Sequence, residues 1–143
     1  MINWDKKFET GLEDIDRQHQ MLVLNINHLE TQMTSSNPTR AECEFLIHLI
    51  DFLDAYATTH FSLEEQCMEC NRCRVREANQ RAHDNFRSIF SSFKKRCALE
   101  GFTVELCRQL HNTASVWIVE HILKIDTQLR SNIRGPLALA RKP

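Results

Sequence analysis

Between Asp14 and Ile133 only three short stretches carry residues suited to turning a chain. Thr34-Ser35-Ser36-Asn37-Pro38-Thr39 combines helix-capping residues with a proline, Asn71-Arg72-Cys73-Arg74 is a short polar link, and Glu100-Gly101 ends in the residue best suited to the left-handed position after a helix. The 143 residues hold 3 Gly and 3 Pro in all, too few to punctuate a fold of many short strands. The spacing therefore predicts four long helices, over residues 14–33 with Asp14 as N-cap, 39–70, 75–98 and 103–133. Short loops force consecutive helices to lie antiparallel, so the expected fold is all-α, an up-down-up-down four-helix bundle. Residues 1–13 read as an irregular arm anchored by Trp4 and Phe8, with Gly11 allowing a bend. One domain is expected over residues 1–135, with 136–143 a tail or the start of a linker.

Each predicted helix carries an apolar stripe that runs into polar residues. Ile15, Leu22, Ile26 and Leu29 flank His19 on the first. Phe45, Leu49, Phe52, Leu53 and Tyr56 lead to His60 and Glu64 on the second. Phe86, Ile89 or Phe90, and Phe93 follow Asn79 and His83 on the third, and Leu106, Leu110, Ala114 and Trp117 lead to His121 on the fourth. Four residues are close to one helical turn, so His60 with Glu64, and Asn79 with His83, each share a face. A lone histidine on an apolar stripe is ordinarily a satisfied core residue. Here, however, alternating helix direction brings all of these positions to one level. Imidazole and carboxylate together suit iron, manganese or zinc, and carboxylates facing into a helix bundle commonly bridge two metals. Asp126 comes five residues after His121, about 140° around a helix, so spacing alone makes it a loose partner.

The 18 Lys+Arg against 19 Asp+Glu leave a formal charge of -1 with no block of like charge, so neither nucleic acid nor an anionic membrane is the expected partner. Met1-Ile2-Asn3-Trp4-Asp5 lacks the apolar core of a signal peptide, and no apolar run approaches membrane-spanning length, so a soluble, cytoplasmic protein is expected. Cys67, Cys70 and Cys73 step by three around a helix and have no fourth ligand nearby, which argues against a zinc or iron-sulfur site. Cys67 returns to the metal-facing side as a core thiol. Cys43, Cys97 and Cys107 fall at the opposite end. His28, His48 and His111 read as surface or packing residues, and Glu65, beside Glu64, as a solvated carboxylate on another face.

Trp4, Gly11 and Ile15-Asp16-Arg17-Gln18-His19 are followed by His60-Phe61-Ser62-Leu63-Glu64-Glu65-Gln66-Cys67-Met68. Then come His83-Asp84-Asn85-Phe86, and Trp117-Ile118-Val119-Glu120-His121-Ile122 with Asp126. In this order the motifs resemble the hemerythrin family in its bacterial form, from Trp4 to about Ile133. The resemblance implies a non-haem centre of two iron ions with an oxo or hydroxo bridge. By position, His19 and His60 hold one iron, His83 and His121 the other, and Glu64 and Asp126 bridge them. Phe61, Trp117, Ile118 and Ile122 match the apolar pocket where the family takes up dioxygen, and small anions such as azide or chloride are expected ligands as well.

One position departs from the family pattern. A histidine is expected four residues before the one matching His83, and this chain has Asn79. A neutral amide is a poor iron ligand, better suited to hydrogen-bonding a water or to weak coordination through its oxygen. Each iron is then left with two histidines and one open position, where the family pattern leaves a single open position in all. Two adjacent labile positions favour autoxidation over storage. The expected function is oxygen or redox sensing, coupled to a signalling output such as a diguanylate cyclase or chemoreceptor, with no enzymatic role of its own. The alternatives are a reversible oxygen carrier or store, slow reduction of dioxygen, peroxide or nitric oxide, and a bundle that has lost its metal. The sequence leaves open whether the chain is a whole protein or a sensor from a longer one.

Overall fold

The structure, a computed structural model, describes residues 1–132. It contains four long helices, α1 (Glu13–Gln32), α2 (Arg40–Cys70), α3 (Arg76–Glu100) and α4 (Val104–Lys124). A 3-10 turn (Asp126–Gln128) and the short α5 (Leu129–Asn132) complete the described chain. No strand occurs among the described residues. Each long helix packs against the next and α4 packs against α1, which closes the antiparallel bundle. The expected tail, residues 136–143, lies outside the described residues.

The starts of α2 and α4 are fixed by side chains that satisfy free backbone groups. Thr39 and Glu42 form a capping box at α2: the Glu42 N–H donates to Thr39 Oγ1 at 3.2 Å and the Thr39 N–H to Glu42 Oε2 at 2.6 Å. Thr103 Oγ1 caps α4 by accepting from the Leu106 N–H at 3.1 Å. Gly101, at φ +83°, ends α3 as its position in the sequence predicts.

The start of α1 differs from expectation. Its N-cap is Leu12 and Asp14 lies inside the first turn. No side chain caps the helix; Asp16 instead ties down the chain entering it, accepting from the Thr10 N–H at 2.7 Å, Thr10 Oγ1 at 2.9 Å and the Gly11 N–H at 3.2 Å. The arm is also more ordered than expected. Lys6–Phe8 form a 3-10 turn with Phe8 buried, and Asn27 exchanges two hydrogen bonds with the backbone of Ile2, at 2.8 and 2.7 Å.

Two expectations about the long helices need correction. The fourth helix stops at Lys124 instead of Ile133; beyond Ile125 the chain tightens into the 3-10 turn that carries Asp126. Arg130 of α5 then donates to the backbone carbonyls of Glu9, Lys7 and Lys6, clasping the arm. On α2 the buried stripe is Leu46, Ile50, Leu53 and Ala57, while Phe45 and Phe52 are 45% and 51% exposed and Leu49 and Tyr56 lie on the flank. From His60 toward the helix N-terminus, alternating steps of three and four residues reach Ala57, Leu53, Ile50 and Leu46. The aromatic row is offset from that path by one residue, roughly 100° of rotation.

The apolar interior falls into two clusters. The larger runs through Leu22, Ile26, Leu53, Phe61, Phe86, Ile118 and Ile122; the smaller joins Leu12, Ile15, Cys67, Met68, Cys73 and Leu129. Polar residues fill the level between them. The rotation of α2 predicts that Leu53→Ala lowers unfolding free energy by about 2–5 kcal/mol, while Phe52→Ala stays within about 0.5 kcal/mol, as read by chemical denaturation. The reverse order would refute the rotation.

Candidate metal centre

At the level between the two clusters, six side chains converge, each almost wholly buried: His19 from α1, His60 and Glu64 from α2, His83 from α3, His121 from α4 and Asp126 from the 3-10 turn. The helical stripes deliver the first five. Asp126 is delivered by the break in the helix, because the tighter turn redirects a carboxylate that a continued α-helix would carry away from His121.

The contacts divide into two halves. Glu64 Oε2 lies 3.1 Å from His19 Nε2 and 3.0 Å from His60 Nε2, and Asp126 Oδ2 lies 3.1 Å from His19 Nε2. On the other side Glu64 Oε1 is 3.1 Å from His83 Nε2, and Asp126 Oδ1 is 3.1 Å from His121 Nε2. Each carboxylate thus gives one oxygen to each half, and each half has two imidazoles. Two groups of donor atoms are close enough together to hold a metal ion: His19, His60 and Glu64; and Glu64, His83, His121 and Asp126. All six residues expected as ligands therefore meet at one level.

The donors fit a cation better than they fit one another. Glu64 Oε1 and both oxygens of Asp126 are buried and make no well-aligned hydrogen bond, although imidazole nitrogens lie 3.1 Å away. Such unmet buried acceptors are costly unless a positive charge satisfies them. Nitrogen and carboxylate donors in this number match iron, manganese or zinc. Asn79, one turn before His83 on the inward face of α3, is fully buried with neither Oδ1 nor Nδ2 hydrogen-bonded.

Around the ligands, Phe61 stacks on His83 at 3.8 Å between ring centroids and Trp117 stacks on His121 at 4.4 Å, while Ile118 and Ile122 are buried in the adjoining core. Two supporting contacts lie outside the expectations from sequence. His60 Nδ1 donates to Gln18 Oε1 at 2.6 Å, and His83 Nδ1 donates to Glu65 Oε1 at 3.1 Å. Glu65 is therefore bound to the centre, contrary to its expected place in solvent. The signal in the sequence is its adjacency to Glu64, since neighbouring positions on α2 can reach two edges of one facing ring. The outlying histidines behave as expected: His28 and His48 are exposed and His111 packs beside Ser115 and Glu30. All six cysteines are free thiols, and burial, with lesser effects from Glu64, Cys70 and Cys73, pushes the Cys67 thiol up to about 11.

Without metal, protons take the place of the cation. Burial alone lowers the pKa of His19, but the nearby Asp126 and Glu64 carboxylates outweigh it and raise the value to about 10. The same opposition at His121, with Asp126 foremost, gives about 9. For His60 burial prevails and the value falls below the ordinary one. Burial disfavours ionised Glu64, yet the imidazoles around it hold its pKa well below the usual range. Raised histidine values mean that their contribution to stability is complete below about pH 6.5 and is lost as pH climbs toward 9 to 10. Metal must displace these protons, so loading at neutral pH should release about two protons per chain, from His19 and His121. Calorimetry in buffers of different ionisation heat measures that number, and a value near zero would contradict this electrostatic account.

The sequence profile of the hemerythrin HHE cation-binding domain matches residues 10–131. The chain is 28% identical over 135 residues to a bacteriohemerythrin of Pseudomonas aeruginosa, covering 94% of this chain and 83% of that protein. It is 24% identical over 137 residues to one from Stenotrophomonas maltophilia, covering 96% and 84%, and 24% identical over 128 residues to one from Clostridium acetobutylicum, covering 90% and 98%. No described helix is long and apolar enough to cross a membrane. With a metal-binding cluster carried by all four helices and a family match over most of its length, the chain belongs to the hemerythrin family.

Proposed function

We propose that this domain binds two iron ions, reacts with dioxygen and acts as an oxygen or redox sensor. His19 and His60 would hold one iron, His83 and His121 the other, with Glu64 and Asp126 giving one oxygen to each. Bound there, iron supplies dioxygen affinity and reversible one-electron chemistry. The observation that carries the sensing reading is the pairing of equal two-histidine halves with the buried, unpartnered amide of Asn79. Where the family pattern has a fifth histidine, this chain offers a weak neutral ligand, so each half keeps a position for dioxygen or a small anion such as azide.

The chain's own residues control access to the centre and its coupling to the surface. Phe61 and Trp117 cover the histidines, and Ile118 and Ile122 belong to the apolar core beside them, surface that would limit water. Asp126 sits at the break between α4 and α5, and Arg130 of α5 holds the arm through Lys6, Lys7 and Glu9. A change in the charge of the centre would act on Asp126 and through it on α5 and the arm, whose position a partner could read. A signalling output such as a diguanylate cyclase or chemoreceptor suits that arrangement, as does a cytoplasmic setting. The apolar wall is also what an oxygen carrier needs, which keeps carriage as the second reading.

The test mixes the anaerobically reduced, iron-loaded protein with air and records its optical spectrum over time. Rapid passage to the diferric spectrum is expected, with Asn79→His slowing it on the order of tenfold, a barrier change of about 1.4 kcal/mol. A long-lived oxygenated spectrum in the unaltered protein would overturn sensing in favour of carriage.

A further inference from the structure

The two halves match in ligand count but differ in what stands behind the ligands. His19 and His121 have no hydrogen bond at Nδ1. His60 donates to the neutral amide oxygen of Gln18. Of the four imidazoles, only His83 donates its outer N–H to an anion, Glu65. Consecutive residues of α2 stand at opposite edges of this one ring: Glu64 Oε1 is 3.1 Å from Nε2, which it does not hydrogen-bond, and Glu65 Oε1 is 3.1 Å from Nδ1, whose N–H it accepts. Phe61 covers a face of the ring at 3.8 Å, with planes 15° apart. Arg87 lies over Phe61 and 3.7 Å from Glu65, but is bound more closely by Asp84 at 2.9 Å, so it only partly offsets the Glu65 charge.

A ligand imidazole whose outer N–H is held by a carboxylate is fixed in tautomer and orientation and becomes a more basic donor at its other nitrogen. Stronger donation favours the higher positive charge on whatever that nitrogen binds. One half has such support and the other has none.

We propose that Glu65 is a positioning residue that makes the two metal positions unequal. It holds His83 as the strongest donor of the four, so that the His83/His121 half binds its ion more tightly and favours the ferric state at a lower potential than the His19/His60 half. The proposal rests on the di-iron reading above. In a potentiometric titration the electron acceptor is the redox mediator, which takes one electron from each ferrous ion.

The test compares the unaltered chain with Glu65→Gln, which keeps an acceptor oxygen but removes the charge, and with Gln18→Glu, which places a charge behind His60. Each is titrated anaerobically with ferrous ion, then poised at stepped potentials and read by Mössbauer spectroscopy on iron-57. The unaltered chain should bind two ions unequally and show two iron environments that oxidise at separate potentials. Glu65→Gln should weaken the tighter position by about tenfold and raise its potential, and Gln18→Glu should narrow the gap from the other side. If Glu65→Gln binds two ions with unaltered affinities and potentials, the role of Glu65 is overturned while the di-iron reading stands. If the unaltered chain takes up fewer than two ions, the di-iron reading fails first and this proposal falls with it.

Discussion

Glu64 is the side chain on which the rest of the bundle depends. It is fully buried, and an unpaired charge in that position would cost several kcal/mol. Its oxygens lie within 4 Å of His60 one turn earlier on its own helix and of His19, His83 and His121 on the other three. One carboxylate therefore fixes the relative height of all four helices. A slip of a single turn would remove an imidazole from its reach and leave the charge less compensated. The neighbouring apolar clusters supply the burial that makes this electrostatic requirement strict.

The requirement also explains why the metal-free centre stores protons. Raised pKa values at His19 and His121 and a lowered value at Glu64 describe one arrangement, in which imidazolium stands in for a cation. Folding and metal uptake draw on the same contacts, so the centre is both structural and functional. Asp126 ties this level to the end of the described chain, since the turn that carries it leads into α5 and to the Arg130 clasp on the arm.

Much of this is legible in the sequence because its rules are periodic. Steps of three and four residues give four helices, and scarce turn residues give the antiparallel order. The same steps put His19, His60, Glu64, His83 and His121 on inward faces. The features that escape a sequence reading depend on geometry that periodicity does not encode. The aromatic row Phe45, Phe52 and Tyr56 looks like a core stripe by size, yet it is one residue off the path through His60 and Glu64. Asp126 cannot be placed inward by helical spacing, because the helix breaks before it; family resemblance supplies it. Glu65 is misplaced by the rule that a residue adjacent to a ligand faces solvent, because a neighbouring helix brings a ring within reach of both carboxylates. Asp14 does not cap α1, which begins one residue earlier without a side-chain cap, while Asp16 reaches back to Thr10 and Gly11 from the first turn and fixes the chain entering the helix.

The central claim is that four helices build two equal-count metal positions that share Glu64 and Asp126. Anomalous diffraction from a crystal of the iron-loaded protein, collected at the iron absorption edge, tests it most directly. Two peaks are predicted, one beside His19 and His60 and one beside His83 and His121, with both carboxylates between them. A single peak, or iron bound elsewhere in the chain, would contradict the account.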